Sequence, residues 1–206
     1  MPAPQTPKAN HYSRPVLGHV NLMVDTFIAN ASADELRAAV RGLLSSSSPA
    51  VASAFTDAAR RRLTQTGVAR KPACDALFAV RADGRGVGPT AELRDVLGRA
   101  RMLYGVGLGF ASLKLLAQPV RAAARLRWEL GGEIEQVLAE IDADIGQALQ
   151  SSREELDGGR AGNLNTARAA LEELKSAIKE SQLALEGWAG SYPFERAAAS
   201  LEFWKL

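Results

Sequence analysis

"RMLYGVGLGFASLKLLAQPV", residues 101–120, is the least polar run of the chain, and three glycines alternate through it: Gly105, Gly107 and Gly109. Its reading decides between three classes of protein. A phosphate-cradling loop needs G-x-G-x-x-G after a strand, or a glycine-rich loop ending in Lys-Ser/Thr. Here the frame runs into Gly109-Phe110 and no strand pattern precedes it. A membrane span needs about 20 apolar residues. Lys114, Gln118, Pro119 and the glycines interrupt this one, and a lysine near the middle costs about 3 kcal/mol on insertion scales. The third reading is close packing. On one continuous helix Gly105 and Gly109 form a G-x-x-x-G pair with Ser112 a further three residues on. Small residues at that spacing let a neighbouring helix approach closely. Val106, Phe110, Leu113 and Ala117 occupy the other face. A helix apolar nearly all round is a buried one, so residues 102–117 are expected at the centre of a bundle.

The rest of the chain is helical by the same criteria, with no convincing strand pattern. "SADE" at Ser32–Glu35 is a capping box, the serine side chain accepting from the Glu35 N–H and the glutamate reaching back. It separates a first helix, opened by Ser13 and Pro15, from a second over Ala33 to Ser45. Ser48-Pro49 opens a third, running to Thr66 and stopping at Gly67. Residues 68–89 read as irregular, with "KPACDALFAV" a short helix or, as the second choice, a buried strand, and "RADGRGVGPT" a loop. Thr90 caps a fourth helix that runs on into the opening run, and Gln118-Pro119 is expected to break it, since proline disfavours helix in the residue before it.

Leu126, Leu130, Ile134, Leu138, Ile141, Ile145 and Ala148 then recur in six steps over 22 residues, a straight-helix period. Gly131-Gly132 breaks the series and Asp157-Gly158-Gly159 ends it. Beyond "GGRAGN", Leu164, Ala167, Leu171, Leu174, Ile178, Ser181, Leu185 and Trp188 alternate by three and four. That is a heptad seam. The two helices are expected to form an antiparallel hairpin, and the seam is filled either within the chain or by a second one. Five of the twelve aromatics, Trp188, Tyr192, Phe194, Phe203 and Trp204, lie in the last nineteen residues. Such a tail docks, either on its own bundle or on a partner.

The expected fold is therefore all-α: a multi-helix bundle with a long C-terminal antiparallel helical hairpin and a short aromatic-rich last helix. Residues 1–12 form a flexible arm, 13–117 a helical subdomain, and 120–206 the hairpin with its tail. The arm has three prolines and no apolar core, unlike a secretory signal, and a lone Cys74 suits a reducing interior. Both point to an intracellular, cytoplasmic protein.

Composition narrows the function. Net charge is +2 overall. Residues 1–103 carry 14 Lys/Arg against 8 Asp/Glu, and residues 104–206 carry 11 against 15. Arg60-Arg61-Arg62 sits at a helix C-terminus, where it complements the macrodipole, and no aromatic stripe supports nucleic-acid binding. Neither His11 nor His19 has a glutamate three positions before it, and two His with one Cys make a poor zinc set. Cys74 reads as a small buried apolar residue. Glu133, Glu140 and Asp144 share a helix face that reads as solvated. No catalytic residue, metal ligand or cofactor is assigned. The expected function is non-catalytic: a helical interaction or scaffold protein, oligomeric or part of a larger assembly. Leu171, Leu174, Ile178, Leu185, Trp188, Tyr192, Phe203 and Trp204 are the candidate partner-binding residues. A ligand-binding protein or enzyme with a pocket around helix 102–117 is the first alternative. A peripheral membrane protein, held by the arginines flanking 102–120, is the second.

Overall fold

A computed structural model describes residues 22–73, 76–81, 86–128, 131–185 and 192–204. The fold is all-α, and a single two-stranded sheet accompanies the helices among the described residues. The arm at 1–12, the Ser13-Pro15 helix start, both histidines, Cys74 and Trp188 lie outside the described residues.

Packing divides the chain into two compact units, the first ending at Ala52 and the second beginning at Ser53. The boundary read at 117–120 instead falls inside one helix, α5 (Gly109–Ala123). The first unit holds α1 (Leu22–Asn30), α2 (Ala33–Ser46) and the opening of α3 (Pro49–Gln65). The capping box is formed: Glu35 N–H donates to Ser32 Oγ at 3.2 Å, and Ser32 N–H to Glu35 Oε2 at 2.7 Å. The Ser32 hydroxyl bond holds the Glu35 carboxyl below its ordinary value. Both helices carry apolar stripes at helical spacing, yet no residue of α2 is buried.

In the second unit, the end of α3 brings Arg60 to the Val106 carbonyl and packs Leu63 against the core. Arg99 clamps the chain beyond Gly67, donating to the Arg70 carbonyl at 2.9 Å. Residues 78–80 form the strand that is the second choice for their segment rather than a helix, and residues 87–89 form a strand where a loop is expected. β1 (Phe78–Val80) pairs antiparallel with β2 (Val87–Pro89), Phe78 opposite Pro89. Strands of three residues are too short for alternation to register in sequence. Thr90 caps α4 (Ala91–Gly105), accepting from Leu93 N–H at 3.2 Å, and its own hydroxyl donates to the Ala76 carbonyl at 2.6 Å. The same threonine thus starts the helix and ties it to the segment before β1.

The opening run is two helices, not one. α4 stops at Gly105, Val106–Leu108 turn the chain, and α5 starts at Gly109. Gly107 has φ +76°, its N–H donates to the Tyr104 carbonyl, and Leu108 N–H donates to that of Leu103, both at 3.0 Å. This pair of bonds around a left-handed glycine is the Schellman ending of a helix. α6 (Glu133–Asp157) closes the same way, with Gly159 at φ +64° and Arg160 N–H on the Glu155 carbonyl at 2.9 Å.

Gln118-Pro119 does not break α5. An interior proline costs about 3 kcal/mol. Around it Leu115, Leu116, Ala117 and Val120 are fully buried, and each large apolar side chain contributes about 1.5–3 kcal/mol. Burial therefore carries the helix through. The break read at the glycine pair does occur: Gly131 has φ +78° and Gly132 is the N-cap of α6.

α7 (Leu164–Leu185) and α8 (Glu195–Glu202) complete the unit. α5 is its axis, packing on α4, α6 and α7. α6 and α7 each pack principally on α5 rather than on one another, so the expected two-helix seam is replaced by a central third helix.

Candidate functional site

The heptad face of α7 is core. Leu171, Leu174, Ile178, Ser181 and Leu185 are all buried, and the helix opposite them is chiefly α5. Four of the residues read as partner-binding are thus satisfied within the chain. The tail docks as well. Tyr192 is half-buried, its hydroxyl donating to the Ile178 carbonyl at 3.3 Å, and burial, with the Asp142 charge second, raises its pKa well above the usual tyrosine value. Trp204 is buried with its ring 6.1 Å from Phe110, and the Arg153 guanidinium lies 5.2 Å from the Trp204 ring centroid. Phe203 alone of the described candidates is open to solvent, 82% exposed.

The small residues at the α4–α5 turn separate in role. A Cβ on Gly109 would fall 2.3 Å from the Ser152 backbone nitrogen, so α5 starts hard against α6. Ser112 is buried and donates to the Ala100 carbonyl at 3.0 Å, joining α5 to α4. Gly105 is exposed and a Cβ there would meet nothing within 4 Å. The close approach is made by Gly109 alone, because Gly105 and Gly109 lie on different helices.

The acidic face of α6 is not solvated throughout. Asp142 and Asp144 are buried. Asp144 accepts from Arg101 Nε at 3.0 Å and from the Tyr104 hydroxyl at 3.0 Å, and Arg101 also reaches Glu140 at 3.3 Å. The bond to Asp144 raises the Arg101 pKa, while burial first and then the Asp144 charge raise that of Tyr104. Asp142 accepts from Ala197 N–H and Arg196 Nε, both at 2.9 Å, which pins the first turn of α8. These are joints between helices. Each of these charges is matched, and Arg101 and Glu140, paired with one another, also line a cleft of about 420 Å³ with Leu93, Leu97 and Val137. A further joint sits on α7. Glu173 accepts from Lys71, from Gln118 at 3.1 Å and from Arg121 at 3.1 Å. Burial alone would raise its carboxyl, but Lys71 and Arg121 outweigh that and hold it lowered.

One group differs. Glu155, 8% exposed, sits on the apolar stripe of α6, in step with Ile145, Ala148 and Ser152. Its Oε2 accepts from Phe110 N–H at 3.2 Å, so it caps α5, whose own N-cap residue Leu108 supplies no side-chain bond. Burial raises its carboxyl, against the lowering effect of the Phe110 and Gly109 N–H groups and of Arg160 and Arg60. A cleft of about 330 Å³ opens beside it, between α5, the loop after α6 and the first turns of α7. Glu155 carries no assignment from sequence, whereas the cleft, lined by Phe110, Ala111 and Lys114, lies where the first alternative expects a pocket, around 102–117. The available signal was an acidic residue in register with a core stripe.

The first unit offers the other candidate. Val24, Phe27 and Ile28 share one face of α1 and each is about half exposed, Phe27 at 50%. Leu43 of α2 is equally open. Among the described residues, no group of three or more His, Cys, Asp or Glu could hold a metal ion, and no helix is long and apolar enough to cross a membrane. No family model matches this chain, and no curated protein or solved structure matches it either.

Proposed function

We propose that this chain is a non-catalytic helical interaction protein that associates through the apolar faces of its first unit, with a second copy of itself as the occupant. The observation that carries the reading is the exposed Val24-Phe27-Ile28 stripe with Leu43, on helices of which α2 has no fully buried residue, Leu36, Val40 and Leu44 being half-buried. The first unit spans 52 residues, a size at which a single core is marginal and oligomerisation is one route to further burial. The first unit has no cysteine, and its described residues have no metal cluster. The occupant follows from chemistry. The stripe is uncharged, and α1 has one charged residue, Asp25, so a strongly charged partner finds nothing to pair with. A like apolar face is complementary, and isologous pairing is the commonest symmetry.

Leu171, Leu174, Ile178, Leu185 and Trp204 are buried within the chain, so the reading places association on the first unit rather than on them. The experiment is sedimentation equilibrium of the full chain beside Phe27→Asp and Ile28→Asp. The reading expects a wild-type dimer or higher oligomer, and variants that dissociate with an unchanged thermal transition of the second unit. A wild-type monomer, or variants that remain fully associated, contradicts it.

A further inference from the structure

The second unit carries a cleft that the self-association reading does not use, and its walls are specific enough to name a ligand class. Phe110 and Ala111 of α5 and Ala167 and Ala170 of α7 make an apolar trough. Its volume of about 330 Å³ lies at the small end of the range of about 300–1,000 Å³ typical of small-molecule pockets. The room exists because the facing residues are alanines, while the Trp204 ring, tilted 41° to that of Phe110 with centroids 6.1 Å apart, packs against it.

Two charged side chains line the trough, and they are not equivalent. The Glu155 carboxylate is already used by the start of α5 and stands among the Arg60 and Arg160 charges. Both arginines converge on the α4–α5 turn, where a Cβ at Gly107 would lie 2.8 Å from Arg60 and 3.6 Å from Arg160. Lys114, one turn along α5 from Phe110, is exposed at the rim and has no ion pair with any described carboxylate. The trough is therefore apolar along its walls, cationic at the rim and cationic in its surroundings. Glu155 is buried with its Oε2 held by the Phe110 N–H, and the Arg160 and Arg60 charges act on it, which leaves Lys114 as the accessible charge at the mouth. A monoanion finds an unpaired ammonium at the mouth, where a charge-assisted bond is favoured.

We propose that this cleft binds a small amphipathic monocarboxylate, with its apolar body between Phe110 and the α7 alanines and its carboxylate on Lys114. Decanoate is the probe, titrated into the full chain by calorimetry below its micelle limit, with decylammonium and decanol as the charge-reversed and neutral counterparts. Decanoate should bind at one site and more tightly than either counterpart. Lys114→Gln should weaken decanoate by about tenfold and leave decanol unchanged. Ala111→Leu should fill the trough and abolish binding of both. Lys114 is exposed and Ala111 half-buried, so both variants should melt as wild type, and the melts are recorded to verify it. Absence of saturable decanoate binding, equal binding of decylammonium, or decanoate affinity unchanged in either variant overturns the proposal.

Discussion

α2 and α7 carry the same kind of sequence signal and end in opposite situations. Leu36, Val40, Leu43 and Leu44 recur on α2 as regularly as Leu171, Leu174, Ile178 and Leu185 do on α7. On α7 every one of these is buried, while on α2 none is. The cause is topology. α7 returns onto α5, a helix apolar nearly all round, and α4 and α6 enclose the rest of it. Among its described residues the first unit contains no such central helix. An amphipathic period states that a face needs covering, and only the fold states what covers it.

The sharpest way to break this contrast is to place a charge on each stripe. Leu174→Asp buries an unpaired carboxylate in the core, and the expected cost is about 5 kcal/mol, enough to abolish the cooperative unfolding transition. Leu43→Asp, on a half-open position, should change that transition by less than about 0.5 kcal/mol, as surface substitutions do. Equal effects in urea melts would show that the two faces are in the same environment.

A smaller effect separates the glycines of the α4–α5 turn. Gly109→Ala drives a Cβ into the Ser152 backbone, and overpacking of this kind costs about 3 kcal/mol. Gly105→Ala adds a methyl in open space at a helix end and should stabilise by about 0.5 kcal/mol. Melts of the two variants that agree would rule out the turn described for 106–108.

The smallest effects are in pH dependence, and two carboxylates of the second unit should slope oppositely. Glu173 is held lowered, so its contribution is full above the unfolded carboxylate value of about 4.3 and is lost as pH falls through the lowered folded value. Glu155 is raised, so its favourable contribution is full below the unfolded value and is lost as pH rises through the folded one. The stability advantage of wild type over Glu173→Gln should therefore shrink in acid. The advantage of wild type over Glu155→Gln should shrink as pH rises above about 4.3. Thermal melts between pH 3 and 7 check both signs.

Helix starts were the most legible part of the sequence. Ser32, Pro49 and Thr90 each open a helix where side-chain chemistry requires it, because capping is local and leaves a local signature. What failed was non-local. Pro119 reads as a stop until the burial around it is known, and the heptads of 164–185 read as a two-helix seam until α5 is seen to fill them. "YGVGLG" looked like one helix with a thin side, since Schellman glycines and close-packing glycines share a spacing. The pairing of Arg101 with Asp144, and of Glu155 with the start of α5, joins residues more than forty positions apart. No local pattern encodes such a joint.

Hydrogen exchange at two protein concentrations tests the central claim most directly. Amides of α1 and α2 should become more protected as concentration rises, whereas those of α5 and α7 should be strongly protected and indifferent to it. Protection of α1 and α2 that is independent of concentration, or of α5 and α7 that depends on it, would contradict a self-contained second unit joined to an association-dependent first.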